Sequence, residues 1–169
     1  MIKHSQLFID SLFHPKKLAG YRLLSIGKTI QYVFLLIAII TLYSFIQFLT
    51  GVSTTSLNIE GLSEYIQDIQ WILYPFALLL LTVTTTFLLF IRISIYALVG
   101  IFLLKILSRR GEYRHMWRTA ALTITWSTLL TIVFSLIHLP GTLSTLIGIV
   151  ITVSLLFIAT TKYPKIQKK

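Results

Sequence analysis

The chain has 169 residues, enough for one domain, and 56% of them are hydrophobic while only 12% are charged, with mean hydropathy +0.85 and a net charge of +10. That composition excludes an ordinary soluble domain and is that of a membrane protein. No cysteine is present, which excludes disulfides, thiolate nucleophiles, CxxC redox chemistry and Cys-based zinc sites.

Residues 1–28 form a basic arm with Lys3, Lys16, Lys17, Arg22 and Lys28. Phe8, Leu12, Ala19 and Leu23 form an apolar stripe beside these cations, with a bend near Pro15, and predict an amphipathic helix at a membrane interface. The arm ends in Gly27-Lys28-Thr29, the last three letters of a phosphate-binding P-loop. Arg22 stands where that loop needs its first glycine, and no strand precedes it. A basic stop at the edge of a span is the reading that remains.

The arm also carries Ser11-Leu12-Phe13-x-Pro15-Lys16, then Tyr21-Arg22, then Ile26-Gly27-Lys28-Thr29-Ile30 followed by Tyr32-Val33-Phe34. In these residues it resembles the start of a bacterial family of integral membrane proteins, domain of unknown function 1189. The resemblance implies a cytoplasmic-membrane protein and transfers no catalytic residue. Members tend to have a larger outer segment between the first two spans than residues 51–70 provide here. A more distant likeness, to Yip1-type membrane proteins, rests on the basic lead-in, a short Gly-containing cytoplasmic segment and a compact bundle.

A helix needs about 20 apolar residues to cross a hydrocarbon core of about 30 Å. The first span is expected over residues 30–50, and a second begins at Trp71 and runs to Ile91. Between them, Glu60, Glu64 and Asp68 recur every four residues, which on a helix lines the carboxylates along one face. They are a possible outer-face site for a cation or partner, or the wet face of an amphipathic helix resting on the membrane. Arg92 interrupts an apolar run that continues to Leu107, so residues 92–107 read as a continued helix, an interfacial helix or a fifth span. Residues 119–161 are uncharged and too long for one crossing; Pro140 and Gly141 divide them into spans over 119–137 and 142–161.

Charge distribution sets the threading. With four spans, every Lys and Arg lies on one side, and the loop from Gly51 to Gln70 holds acids without a cation. Cytoplasmic termini follow from the positive-inside rule. A five-span alternative would move Arg109, Arg110, Arg114 and Arg118 outside and would need a turn at "IRIS", which has neither Gly nor Pro. The fold class is therefore all-α, a polytopic helical bundle of four spans preceded by an amphipathic interfacial helix, expected as a single membrane domain.

Lys16, Lys17, Arg22, Lys28, Arg92, Arg109, Arg110, Arg114 and Arg118 are the candidate contacts to anionic lipid headgroups, each worth about 1 kcal/mol near such a surface. Arg92, one bilayer thickness after Trp71, either snorkels to headgroups or holds a buried anion. "SRRGEYRHMWR" mixes Arg with Tyr113 and Trp117, a pattern shared with nucleic-acid binders, but lipid phosphate is nearer beside a membrane and no nucleic acid is expected. His4, His14, His115 and His138 are scattered, so no metal or other cofactor is expected. Hydroxyls at Thr82, Thr84, Thr85 and Thr86, and from Thr119 to Ser135, either line a polar path or close on backbone carbonyls and join helices. The leading expectation is a non-enzymatic accessory or scaffold working with a membrane-protein partner, a second copy of itself or anionic lipid; the alternative is a small transporter or channel component.

Overall fold

A computed structural model describes residues 4–14, 16–57, 62–137 and 140–166. Among them lie six helices: α1 (His4–Phe13), a short 3-10 helix (Lys17–Leu23), α2 (Ile26–Leu57), α3 (Leu62–Ile106), α4 (Tyr113–Leu136) and α5 (Gly141–Thr160). The last four are long and apolar enough to cross a membrane. The expected all-α class with four spans is what the chain adopts.

Both long helices outrun their expected spans. α2 continues past residue 50 to Leu57 because its polar end satisfies itself: Thr50 donates to the Ile46 and Gln47 carbonyls, Ser53 to Leu49 and Thr54 to Thr50. α3 starts at Leu62, so Glu64 and Asp68 occupy its first turns as exposed side chains rather than a separate surface helix; Glu60 lies outside the described residues. Pro75 removes one donor from α3 without ending it. Arg92 does not end it either. Arg is a good helix former, and the 45 residues run unbroken to Ile106, about 67 Å at 1.5 Å per residue. The turn at "IRIS" that five spans would require is therefore missing.

Contacts divide the chain into two units. The smaller, Ile37–Leu89, contains the second part of α2 and the first of α3. Leu42, Ile46, Trp71, Ile72, Phe76, Leu79, Phe87 and Leu88 are exposed there, as suits a surface facing hydrocarbon. The larger unit comprises the rest, and α4 is its centre: of the ten residues Thr119–Thr128, all but Trp126 are buried.

α5 packs along α4 through a four-residue repeat of mostly small side chains, Ser144, Gly148, Thr152, Leu156 and Thr160, all buried. A methyl group at Gly148 would stand 3.3 Å from Ser127 Cβ, which shows how closely the two backbones approach. α3 meets α4 differently. Phe90 stacks on Trp117 with ring centroids 6.0 Å apart, while a methyl at Gly100 would stand 2.4 Å from Met116 Cγ and Sδ. Ten residues, about 15 Å of α3, thus meet adjacent residues of α4, so the end of α3 crosses the start of α4 steeply instead of running beside it.

α3 ends in a Schellman turn. Arg109 N–H reaches the Leu104 carbonyl at 2.9 Å and Ser108 N–H reaches Lys105 at 3.2 Å, with Ser108 in the left-handed region at φ 50°. The chain then passes Gly111, where a methyl would lie 2.7 Å from Leu104 Cδ1 and 3.1 Å from the Tyr163 ring, and enters α4.

The arm does precede the spans, but its buried face differs from the expected stripe. Leu7, Asp10, Ser11, Leu18 and Ala19 are buried, whereas Leu23 is 74% exposed and Phe8 and Leu12 are intermediate. α1 and the 3-10 helix pack on α4 through that buried face, and of the expected stripe only Ala19 is covered by it.

Candidate functional site

Helix ends leave carbonyls without intrahelical partners; in the larger unit two long-range side chains finish two such ends, and a third bonds the segment that follows α5. Trp126 Nε1 donates to the Leu12 carbonyl in the last turn of α1 at 2.7 Å. Arg118 Nη1 donates to the Arg22 carbonyl near the end of the 3-10 helix at 2.8 Å. Arg109 Nη1 donates to the Tyr163 carbonyl just beyond α5 at 2.7 Å. The arm, α4, the loop after α3 and the segment after α5 are tied together by these bonds.

Tyr163 is the hub. Its ring is 1% exposed, its hydroxyl pairs with Thr119 Oγ1 at 2.7 Å and lies 3.3 Å from the His115 carbonyl, and burial pushes its phenol above the ordinary range. The Arg22 guanidinium lies over the ring, 5.2 Å from its centroid, a cation–π contact. Backbone bonds brace the segment: Arg110 N–H to the Pro164 carbonyl at 2.8 Å and Ile166 N–H to Ser108 at 3.1 Å. Three expected headgroup contacts, Arg22, Arg109 and Arg118, are thus gathered round one tyrosine.

A second cluster locks the arm to itself. The buried Asp10 carboxylate accepts from Tyr21 Oη at 2.5 Å and Lys17 Nζ at 3.1 Å, with His14 Nδ1 also at 3.1 Å. The Tyr21 hydroxyl, aided by Lys17 and against burial, holds the Asp10 carboxyl below its usual range, while burial and Asp10 push the Tyr21 phenol up to about 12. Ser11 Oγ, Tyr32 Oη and Thr125 Oγ1 continue from arm to α2 to α4 at 3.0 and 2.6 Å. Ser11 and Thr125 already donate to the Phe8 and Leu122 carbonyls, so the single Tyr32 proton serves one neighbour at a time, and the shorter contact selects Thr125.

The remaining candidates are dispersed. Lys17 belongs to Asp10, and Arg114 Nε is 2.5 Å from Glu112 Oε2 on the exposed surface. Lys16 and the side chain of Arg110 are exposed, Lys28 is half-buried in the first turn of α2, and Arg92 is half-buried without a hydrogen bond or ion pair among the described residues. Glu64 and Asp68 remain exposed and apart from any cation in the ion pairs described. Asp10 and Tyr163 were not singled out by sequence as partners in these clusters. Asp10 had one available signal, as the lone acid in a basic arm.

A family model described as "Protein of unknown function (DUF1189)" matches residues 50–160, roughly two thirds of the chain. The chain belongs to that family. No curated protein and no solved structure matches it. The matched region begins near the end of α2 and covers α3 to α5, so this DUF1189 chain is placed by its later helices, whereas its arm carried the resemblance seen in the sequence. Thr119, Gly148 and Arg118 lie inside the match; Asp10, Arg22 and Tyr163 lie outside it.

Arg92 separates two readings of the spans. An Arg that only reaches headgroups is replaceable by Lys, while one that grips a buried oxyanion through its planar fork is not. With no protein partner at Arg92 among the described residues, Arg92→Lys and Arg92→Gln are expected to leave the steady-state level of the protein and its set of partners as in the parent. Loss of partners in Arg92→Lys at a normal protein level would contradict the headgroup role.

Proposed function

We propose that this chain is a non-enzymatic accessory or scaffold protein of the cell membrane, which assembles with other membrane proteins and with anionic lipid. The observation that carries this reading is the knot at Tyr163, where Arg109 of the loop after α3 and Arg118 of α4 brace main-chain carbonyls of neighbouring elements and Arg22 of the arm lies over the tyrosine ring. Such a knot fixes a surface rather than opening a passage. The span hydroxyls point the same way: Thr82, Thr86, Thr123, Thr131 and Thr152 all donate to carbonyls of their own helix, a use that weighs against a polar path and hence against a small transporter or channel component.

Recovery of the tagged full chain from membranes in mild detergent tests the reading. The expected result is a reproducible membrane-protein partner that leaves when Tyr163 is changed to Ala. Recovery of the chain alone, in cells where it supports solute uptake, would replace the scaffold by the transporter.

The proposed threading has both termini and the Tyr163 knot in the cytoplasm, with residues 51–70 and 138–141 outside. All fifteen Lys and Arg are then cytoplasmic. Because the chain lacks cysteine, Glu112→Cys introduces one reporter thiol. It should resist an impermeant maleimide in intact cells and react in inverted vesicles; labelling in intact cells would reverse the orientation.

A further inference from the structure

We propose that Arg22 and Arg118 form a site for a phosphate oxyanion, held between two guanidiniums at the junction of the arm and α4. This deepens the lipid half of the proposed function and rests on that reading for the source of the phosphate.

The geometry starts with donor use. Arg118 commits Nη1 to the Arg22 carbonyl, and its Nε–H is buried without a partner. A buried N–H left unpaired costs about 1–3 kcal/mol and more when the group is charged. The guanidinium edge that remains is Nε with Nη2, the side-on fork that takes two oxygens of one oxyanion. Arg22 lies over the face of Tyr163 and makes no hydrogen bond through its side chain among the described residues, so its donors are unspent.

Neutralisation is also missing. Arg118 bonds the main chain of the very residue whose side chain is the second cation, so both cations belong to one junction of arm and α4. Among the ion pairs of the described residues, Asp10 serves Lys17 and His14, and Glu112 serves Arg114; no carboxylate serves Arg22 or Arg118. Two half-buried guanidiniums without a counter-charge, one with an orphaned donor, match an anion with several oxygens. A phosphate diester or monoester offers oxygens to both forks at once. A lipid headgroup and free phosphate present the same chemistry, and they are told apart by experiment.

The test titrates the purified full chain in dodecyl maltoside micelles with short-chain phosphatidylglycerol, short-chain phosphatidylcholine and inorganic phosphate, reading the thermal midpoint and the dissociation constant. Arg22→Gln keeps the main-chain carbonyl used by Arg118 but gives up the cation–π contact with Tyr163, so the ligand-induced shift of each variant is read against its own midpoint without ligand. Anion affinity should fall about tenfold or more in Arg22→Gln and in Arg118→Gln, and by less than about twofold in Arg110→Gln, whose exposed side chain lies outside the site. Stabilisation by phosphatidylglycerol but not by inorganic phosphate identifies a headgroup; stabilisation by both identifies a general phosphate site. The proposal is overturned if neither anion binds, if Arg22→Gln binds like the parent, or if Arg110→Gln loses as much, which would mean diffuse surface charge. If the site fails while the chain still recovers its membrane partner, the scaffold reading stands without it.

Discussion

Gly100→Leu unseats the end of α3 and is expected to lower the stability of the protein more than any other single substitution in the larger unit. Even Gly100→Ala should cost about 1–3 kcal/mol by overpacking. A methyl there falls 2.4 Å from Met116 Cγ and Sδ, which belong to a fully buried side chain with Leu156 Cδ2 close behind at 3.3 Å. The clash involves the middle of the Met side chain rather than its free end, so a small rotation does not relieve it. Met116→Ala on its own should cost about 2–5 kcal/mol through the cavity it leaves. Combined, the two changes compensate, because the new methyl enters space that Met116 has vacated. A double-mutant cycle read from thermal or denaturant midpoints in detergent should therefore fall short of additivity by about 1 kcal/mol or more. Additivity within about 0.5 kcal/mol would mean that α3 does not cross α4 at this point.

That crossing also marks where sequence ceases to be informative. Span number, the break at Pro140–Gly141 and the helical class were legible because lipid demands long, uncharged, internally bonded segments, and such segments are visible as letters. α4 ends at Leu136 and α5 starts at Gly141, close to the spans expected over 119–137 and 142–161. The fate of residues 92–107 was not legible, since an Arg in an apolar run permits a continued helix, an interfacial helix or a turn. Only the contacts of Phe90 and Gly100 show one helix laid across α4. Pattern also left the protein-facing side of the arm unseen. Phe8, Leu12, Ala19 and Leu23 form a stripe by hydrophobicity, while the arm also buries Ser11 and Asp10 beside Leu7 and Leu18, because α4 supplies Trp126 and α2 supplies Tyr32 to meet its polar groups. Those partners lie 114 and 21 residues away, and no local periodicity encodes them.

The Gly27-Lys28-Thr29 triplet shows the same contrast at smaller scale. Thr29 is buried, with Oγ1 on the Ser25 carbonyl at 3.3 Å, while Gly27 has open space about it and Lys28 is half-buried. These residues start α2, as the sequence suggested when it denied them a phosphate. The residue of the arm that does bear on phosphate chemistry is Arg22, whose position beside Arg118 arises from a hydrogen bond spanning 96 residues.

Asp10→Asn should release the arm from α4, the second large effect. Asp10 is 4% exposed and its carboxylate anchors Tyr21 and Lys17 from the same arm, so it ties α1 to the 3-10 helix. Asn can accept from only one of these donors with full strength and presents no charge to Lys17; a loss of about 1–3 kcal/mol in arm docking follows. The pH dependence has a definite sign. Because the folded Asp10 carboxyl lies below its unfolded value of 3.8, its contribution is present above about pH 3.8 and is lost as pH falls through the lower folded value. At the other end Tyr21, raised to about 12 from 10.0, contributes fully below pH 10 and is lost as pH rises towards 12. Docking should thus hold across the neutral range and fail at both extremes. Trp126 reports it, since its indole N–H bonds the Leu12 carbonyl: in a Trp71→Phe, Trp117→Phe background, arm release should shift Trp126 emission and expose residues 1–28 to added protease. Asp10→Asn should show both changes at pH 7 while the spans keep their thermal midpoint. Unaltered Trp126 emission and unaltered protection in Asp10→Asn would remove Asp10 as the arm's anchor and leave Ser11, Tyr32 and Trp126 to hold it alone.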